Sequence, residues 1–83
     1  MIKKKQRKHP GQRLDDIRKS ILQLPKTALA EKLGIAPNTL YAVLRGKRHI
    51  DPKMAAKLGE LHRSARFWIE LQAAYDVDQA ERS

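Results

Sequence analysis

The chain has 83 residues, enough for one domain with a modest core, and its formal net charge is +9 at pH 7. This charge favours a polyanionic partner. The absence of cysteine excludes a disulfide framework and a thiolate metal site, and no apolar run approaches the roughly 18–20 residues that span a bilayer. Alternating β-branched runs are also missing, so we expect an all-α protein. From the missing cysteine we expect it in the cytoplasm, and from the short apolar runs we expect no membrane partner.

The first nine residues form a basic segment with almost no apolar side chains. Its cations are Lys3, Lys4, Lys5, Arg7 and Lys8. We predict a flexible basic arm over residues 1–9, followed by one helical domain over residues 10–83. Two roles remain open for the arm. It either lies along DNA phosphates or in a minor groove, or it acts only as a solubilising tail.

Helix 1 is predicted from about Gln12 to Gln23, after a turn at residues 9–11. Its apolar residues have the spacing of one helical face: Leu14, Ile17, Ile21 and Leu24. Asp15 and Asp16 are neighbouring carboxylates in the first turn, where the helix dipole favours anions. Adjacent residues on a helix point in different directions and no partner base accompanies these two, so the pair does not predict an enzyme.

The segment 26–48, KTALAEKLGIAPNTLYAVLRGKR, has the pattern of two short helices joined by a tight turn. Gly34 suits the end of the first helix, and Pro37 suits the first turn of the second. Apolar residues at helical spacing lie in both helices: Leu29, Ala30, Leu33, Leu40, Val43 and Leu44. This combination predicts a helix-turn-helix motif.

The outer face of the second helix carries hydrogen-bonding side chains early and cations late. Amides and hydroxyls can meet base edges in a major groove, and cations can meet phosphates. An ordinary solvated helix face is the alternative, but the turn and the charge of the whole chain favour DNA. Lys26 and Thr27, at the start of the first helix, are further candidates for phosphate contact. The predicted DNA-binding residues are Lys26, Thr27, Asn38, Thr39, Tyr41, Ala42, Arg45, Lys47 and Arg48.

Two more helices follow the motif. Asp51-Pro52 is an N-cap with a first-turn proline and opens helix 4, whose buried stripe is predicted to be Met54, Ala55, Leu58 and Leu61. Ser64 can cap helix 5, which we place at about residues 65–80. Helix 5 carries aromatic residues together with Leu71, and Ile69 and Ala73 add another apolar line.

Helix 5 is more apolar than four short helices can easily cover. In one interpretation Trp68 closes the core of the monomer; in the other, part of this helix meets a second copy. A two-fold dimer doubles the number of base pairs that a helix-turn-helix protein reads. We therefore predict a homodimer, with an interface at Phe67, Trp68, Leu71 and Tyr75.

The sequence predicts no metal site and no cofactor. His9, His49 and His62 lack metal-ligand spacing such as i, i+4. There is no glycine-rich phosphate loop and no recognisable Ser–His–Asp arrangement. The chain is expected to act by binding.

From residue 9 onward the order of motifs resembles one family. The stretches HPG, LAEKLGI, NTLYAVLRGKRHI, MAAKLGEL and FWIELQAAYDV, over about residues 9–78, are similar to those of the HigA-type (VapI-like) antitoxins. These belong to the lambda-repressor-like, or Xre, helix-turn-helix proteins. The central motif indicates only that superfamily, whereas HPG and FWIELQAAYD are specific to the branch. The resemblance implies a five-helix lambda-repressor-like DNA-binding domain.

The resemblance also implies function and partners. Such proteins form dimers, often through the C-terminal helix, and bind a toxin of the HigB or RelE-like kind that cleaves mRNA. They repress their own operon by binding double-stranded operator DNA, which here implies that Asn38, Thr39, Tyr41, Ala42 and Arg45 face the operator. The chain departs from the family pattern at Lys26, where glutamine is usual, and at Ala36, where serine is usual, so helix 3 lacks a hydroxyl cap.

Two other functions fit the same residues. One is a stand-alone Xre repressor without a toxin. The other is a module that captures an acidic protein through its basic helix and binds DNA only non-specifically. Binding that ignores sequence and weakens steeply as salt rises would indicate this capture module, because phosphate contacts alone behave in that way.

Overall fold

The computed structural model describes residues 8–82, and in that range it contains five α-helices, one π-helical turn and no strand. The helices are α1 (Pro10–Ile17), α2 (Lys26–Leu33), α3 (Pro37–Leu44), α4 (Pro52–Leu61) and α5 (Ala65–Arg82), and the π-helical turn is Arg18–Leu22. The predicted all-α, five-helix fold is confirmed. Of the predicted basic arm, residues 1–7 lie outside the described range.

Helix α1 begins two residues before the predicted start. His9 is its N-cap, and the imidazole Nδ1 accepts a hydrogen bond of 2.9 Å from the amide of Gly11. Pro10 occupies the first turn, where its missing N–H has no intrahelical partner. His9 is only 8% exposed, so it belongs structurally to the helical domain and not to the arm. Lys8 is exposed, and its Nζ lies 3.1 Å from Asp16 Oδ2.

The π-helical turn changes the face that was predicted for helix 1. Leu14 and Ile17 are buried as expected, but Ile21 is 58% exposed. An i→i+5 turn inserts one extra residue, which rotates the residues after it by about 100° relative to an uninterrupted α-helix. Arg18 is buried instead. Its Nε donates to Asp15 Oδ1 and its Nη1 donates to the Leu24 carbonyl, both at 2.8 Å.

The turn between α2 and α3 has the predicted local chemistry. Gly34 has φ +68°, a left-handed conformation that glycine adopts without strain. The amide of Ile35 donates to the Ala30 carbonyl at 3.1 Å, which closes the end of α2. Ala36 gives α3 no side-chain cap, as its sequence indicates. Apolar side chains then pack α3 against α1 and α2.

Helices α4 and α5 begin at predicted caps. Asp51 Oδ1 accepts from the Met54 amide at 2.7 Å, and Ser64 Oγ accepts from the Phe67 amide at 3.2 Å. The two helices pack along each other and close one core, whose buried apolar residues are Leu14, Ile17, Leu29, Ala30, Leu33, Leu40, Val43, Leu44, Ile50, Met54, Ala55, Leu58 and Trp68. Leu61 is partly buried against it.

Trp68 belongs to this core and not to a surface. Its side chain is 0% exposed, and its indole N–H donates to the His62 carbonyl at 3.0 Å. The ring of Phe67 packs edge-on against it, with centroids 5.1 Å apart. The indole therefore closes the monomer core, and its place in the predicted dimer interface is corrected because it has no surface to offer a second copy.

Candidate nucleic-acid interface

The outer face of α3 is exposed at its two ends and half-buried between them. Its inner face is formed by Leu40, Val43 and Leu44, which are 0–8% exposed. The predicted base-facing residues lie on the other side. Among these, Asn38 and Arg45 are exposed, whereas Thr39, Tyr41 and Ala42 are half-buried.

The start of α2 lies beside the middle of α3. Lys26 Nζ is 5.8 Å from the centroid of the Tyr41 ring, a cation–π contact that joins the two helices. Pro25, the N-cap residue, provides no side-chain hydrogen bond, so the first amides of α2 receive no cap. Thr27 is exposed next to them. Uncapped amides at a helix N-terminus, next to a lysine, form a site that suits a phosphate.

A groove of about 380 Å³ lies between these helices, lined by Asp15, Lys26, Tyr41, Leu44 and Arg45. Its one carboxylate is already neutralised, because Asp15 accepts from Arg18 at 2.8 Å and lies 3.2 Å from Lys19 Nζ. Burial alone raises the pKa of Asp15, but the hydrogen bonds and charges of Arg18 and Lys19 outweigh it and hold that pKa below the usual range. The groove therefore presents two cations without an opposing free anion.

A basic loop, residues 45–50, leads from α3 towards α4. Gly46 has φ +78°, and the Lys47 amide donates to the Ala42 carbonyl at 2.8 Å, which ends α3. Lys47 and Arg48 are exposed, whereas Ile50 is 4% exposed and anchors the loop in the core. Among the ion pairs formed within residues 8–82, none involves Lys26, Arg45, Lys47 or Arg48.

Gln72 holds the far end of this loop, and sequence reasoning missed it. It is only 6% exposed, its Oε1 accepts from the Ile50 amide at 2.8 Å, and its Nε2 donates to Asp76 Oδ1 at 2.9 Å. The available signal was its spacing, since Gln72 is four residues after Trp68 and shares its helical face. A buried polar side chain on that face requires hydrogen-bond partners.

The near end of the basic loop packs against the start of α1. A Cβ on Gly46 would lie 3.4 Å from His9 Cγ. The His9 ring also meets Tyr75 edge-on, with centroids 4.8 Å apart, and the His49 ring lies 6.4 Å away. Burial lowers the pKa of His9, the charge of His49 lowers it further, and Asp76 partly opposes both.

The predicted dimer residues lie on the side of α5 that faces its own domain. Phe67, Leu71 and Tyr75 are half-buried, and Phe67 and Tyr75 make ring contacts with core or capping residues. The exposed large apolar residues of α5 are instead Ile69, at 45%, and Val77, at 57%. They stand at i and i+8 with exposed Ala73 between them, and so form one stripe along the opposite side.

Comparison with known proteins agrees with this geometry. A helix-turn-helix family model matches residues 15–63. Virulence-associated protein A of Dichelobacter nodosus is 38% identical over 81 residues, which cover 95% of this chain and 79% of the relative. An addiction-module antidote protein of the HigA family from Coxiella burnetii has 30% identity and a TM-score of 0.87, over 94% of this chain and 86% of that structure.

The chain belongs to the HigA-type, VapI-like branch of the Xre-like helix-turn-helix family. A HigA antitoxin of Pseudomonas aeruginosa, solved with the higBA promoter, is similar as well. Its identity is 34% and its TM-score is 0.81, over 88% of this chain and 80% of that one. The predicted resemblance is thereby confirmed, and the protein is a helix-turn-helix DNA-binding protein of antitoxin or repressor type.

No helix within residues 8–82 is long and apolar enough to cross a membrane. Over the same residues, no three His, Asp or Glu side chains are grouped as metal ligands.

Proposed function

We propose that this HigA-type protein is the antitoxin of a type II toxin–antitoxin system in the bacterial cytoplasm. It binds operator DNA as a homodimer, represses its own operon and neutralises a RelE-like toxin that cleaves mRNA. One observation carries the DNA-binding part. The outer face of α3 is flanked by four cations, and none of them has an ion-pair partner within residues 8–82.

In this proposal α3 enters the major groove. The residues towards base edges are Asn38, Thr39, Tyr41, Ala42 and Arg45; those towards phosphates are Lys26, Thr27, Lys47 and Arg48. The amide of Asn38 can pair with adenine and the guanidinium of Arg45 with guanine. The lysines act as point charges on the backbone, which contributes affinity but no sequence readout. The similar HigA of Pseudomonas aeruginosa, solved with promoter DNA, supports this mode.

Dimerisation is proposed through the exposed stripe of α5, in place of the predicted set. If two α5 helices pack antiparallel across a two-fold axis at Ala73, Ile69 of one copy meets Val77 of the other. Alanine at the crossing lets the two backbones approach closely. The two α3 helices should then lie about 34 Å apart, or a multiple of that, to enter successive major grooves.

A charged residue introduced into the exposed stripe of α5 tests the proposed dimer interface. Ile69→Asp should convert the protein to a monomer in sedimentation equilibrium, because it buries an unpaired carboxylate twice in a symmetric interface. Ile21→Asp is the matched control, since Ile21 is as exposed but lies on the π-helical turn. If Ile69→Asp remains dimeric, the stripe is not the interface.

Toxin neutralisation is proposed on the family relationship. The similar protein of Coxiella burnetii is described as an addiction-module antidote. A gene for a small ribonuclease-like protein beside this one would support the proposal. Co-expression should then restore growth that the toxin alone arrests, and growth arrest unchanged by co-expression would leave only the stand-alone repressor.

A gel-shift titration tests DNA binding directly. The purified protein is titrated against its own upstream DNA and against scrambled DNA of the same length, at two salt concentrations. Tight, promoter-selective shifts are expected. Equal shifts on both probes that disappear at the higher salt would instead indicate the protein-capture module, since phosphate contacts carry no sequence information.

A further inference from the structure

Residues from both sides of the helix-turn-helix motif, at the start of α1 and in the middle of α5, contact the basic loop, residues 45–50. The start of α1 covers the near end of the loop, where the His9 ring lies against Gly46. Helix α5 covers the far end, where Gln72 binds the Ile50 amide. His9 and Gln72 lie in the HPG and FWIELQAAYD stretches, outside the helix-turn-helix motif itself.

The contact of Gln72 with the loop is specific. The Ile50 amide is two residues after Arg48 and has its hydrogen bond at 2.8 Å from a side chain that is 94% buried. The same side chain donates at 2.9 Å to Asp76, so both ends of the amide group are satisfied. Removing it leaves a buried N–H without a partner, which is costly enough to displace the loop.

The contact of His9 with the loop is supported from three sides. Its Nδ1 caps α1 through the Gly11 amide, its ring makes a T-shaped contact with the Tyr75 ring, and its Cγ would lie 3.4 Å from a Cβ on Gly46. Because His9 is 8% exposed, the ring has little freedom to move. The loop is therefore held at both ends, while Lys47 and Arg48 between them project into solvent.

We propose that His9 and Gln72 form a clamp that positions Lys47 and Arg48 for phosphate contact. This inference rests on the proposed DNA binding, but not on operator selectivity or on a toxin. A loop that is ordered before DNA arrives loses less conformational entropy on binding. His9 and Gln72 act through the loop and are positioning residues.

The test is the salt dependence of DNA affinity for Gln72→Met, which removes both hydrogen bonds at nearly constant volume. Fluorescence anisotropy measures binding of the full-length protein to a labelled operator duplex and to a scrambled duplex. Affinity for both should fall about tenfold. The slope of log K against log salt should become shallower by about 1–2, because up to two phosphate contacts are lost.

Two further variants separate positioning from loss of fold. Leu58→Ala removes a fully buried side chain of α4 and should reduce stability while keeping the slope. His9→Asn keeps an N-cap but removes the ring from Gly46, and its slope should shift in the same direction as that of Gln72→Met. Hydrogen exchange in the free Gln72→Met protein should accelerate at the Ile50 amide more than at Leu40 in α3.

An unchanged slope for Gln72→Met overturns the clamp, whether affinity falls or stays constant. A fall in affinity at constant slope would mean only fewer folded molecules. Failure of the proposed operator binding has a different signature, because the unsubstituted protein would then show no preference between the two duplexes. The slopes on scrambled DNA still decide the clamp in that case, since phosphate contacts do not depend on sequence.

Discussion

Gly11→Ala should be among the most damaging single-methyl changes in this protein. A Cβ on Gly11 would lie 1.6 Å from the Val43 carbonyl oxygen, about 1.4 Å short of the 3.0 Å below which real Cβ contacts essentially do not occur. The atom that it meets is backbone, so α1 has to move away from α3. Overpacking of this kind costs about 1–3 kcal/mol or more, and losing the cap at His9 adds about 1 kcal/mol.

A total of about 2–4 kcal/mol corresponds to a fall in Tm of about 10–25 °C for a domain of this size. Thermal unfolding followed by circular dichroism measures it. Gly34→Ala is the matched control, because no atom lies within 4 Å of its Cβ and only its φ of +68° opposes the change. That strain costs about 1–2 kcal/mol, or roughly 5–10 °C. A smaller loss for Gly11→Ala than for Gly34→Ala would refute the reasoning about α1–α3 packing.

Three further substitutions test the site and its charges. Arg45→Ala should weaken operator binding by about 1–3 kcal/mol in anisotropy titrations if Arg45 reads a guanine; an equal loss on scrambled DNA would exclude base readout. The pKa of His9 is lower in the folded protein than its ordinary value of about 6.5, so folding favours the neutral ring. The contribution of His9 to stability is therefore complete above about pH 6.5 and is lost as pH falls through the folded pKa. His9→Asn should therefore flatten the acid side of the stability profile in urea titrations, and a profile unchanged by the substitution would contradict this assignment. Asp15→Asn leaves the buried guanidinium of Arg18 without its carboxylate, so the unfolding free energy at pH 7 should fall by about 1–3 kcal/mol. Because the pKa of Asp15 is lowered in the folded protein, the difference in stability between the two proteins should shrink as pH falls below the usual carboxylate range. A difference that stays constant with pH would contradict this role of Asp15.

Local chemistry explains why the order of helices was predictable. Gly34, Asp51 and Ser64 act through backbone groups within three or four residues of themselves, and such signals need no tertiary context. The apolar stripe of α3 was predictable for the same reason, since its period is that of a single helix. The family resemblance, carried by HPG and FWIELQAAYD, was confirmed by the similar proteins.

The face of helix 1 was not predictable from spacing alone. Leu14, Ile17 and Ile21 fit an uninterrupted α-helix, and nothing local distinguishes a π-helical turn from it. Polar contacts within the same segment replace the expected packing, because Arg18 donates to both Asp15 and the Leu24 carbonyl. Those contacts satisfy the hydrogen-bonding groups of the buried Arg18 guanidinium, whose burial the apolar spacing does not predict.

The burial of α5 shows a second limit of prediction from sequence. Aromatic content indicated surplus apolar surface, but the sequence does not say which side of a helix its own domain covers. Trp68 and Gln72 proved to lie on the covered side, and Ile69 and Val77 on the open one. Of the predicted dimer residues, Trp68 is fully buried and the other three are half-buried, as is common for large aromatic and apolar side chains beside a core.

The structure also gives a physical reason for the two stretches that lie outside the helix-turn-helix motif. Part of the support of α3 comes from outside residues 15–63, the span of the matched family model, because Gly11 lies against the Val43 carbonyl and Leu14 is fully buried in the core. Within that span, Ile50 anchors the basic loop in the core and the Lys47 amide donates to the Ala42 carbonyl. From outside the span, the His9 ring packs at Gly46 and Gln72 accepts from the Ile50 amide. According to the proposed clamp, a segment limited to residues 15–63 would lose the contacts that position Lys47 and Arg48. The proposed phosphate contacts of Lys47 and Arg48 therefore depend on residues outside the helix-turn-helix motif.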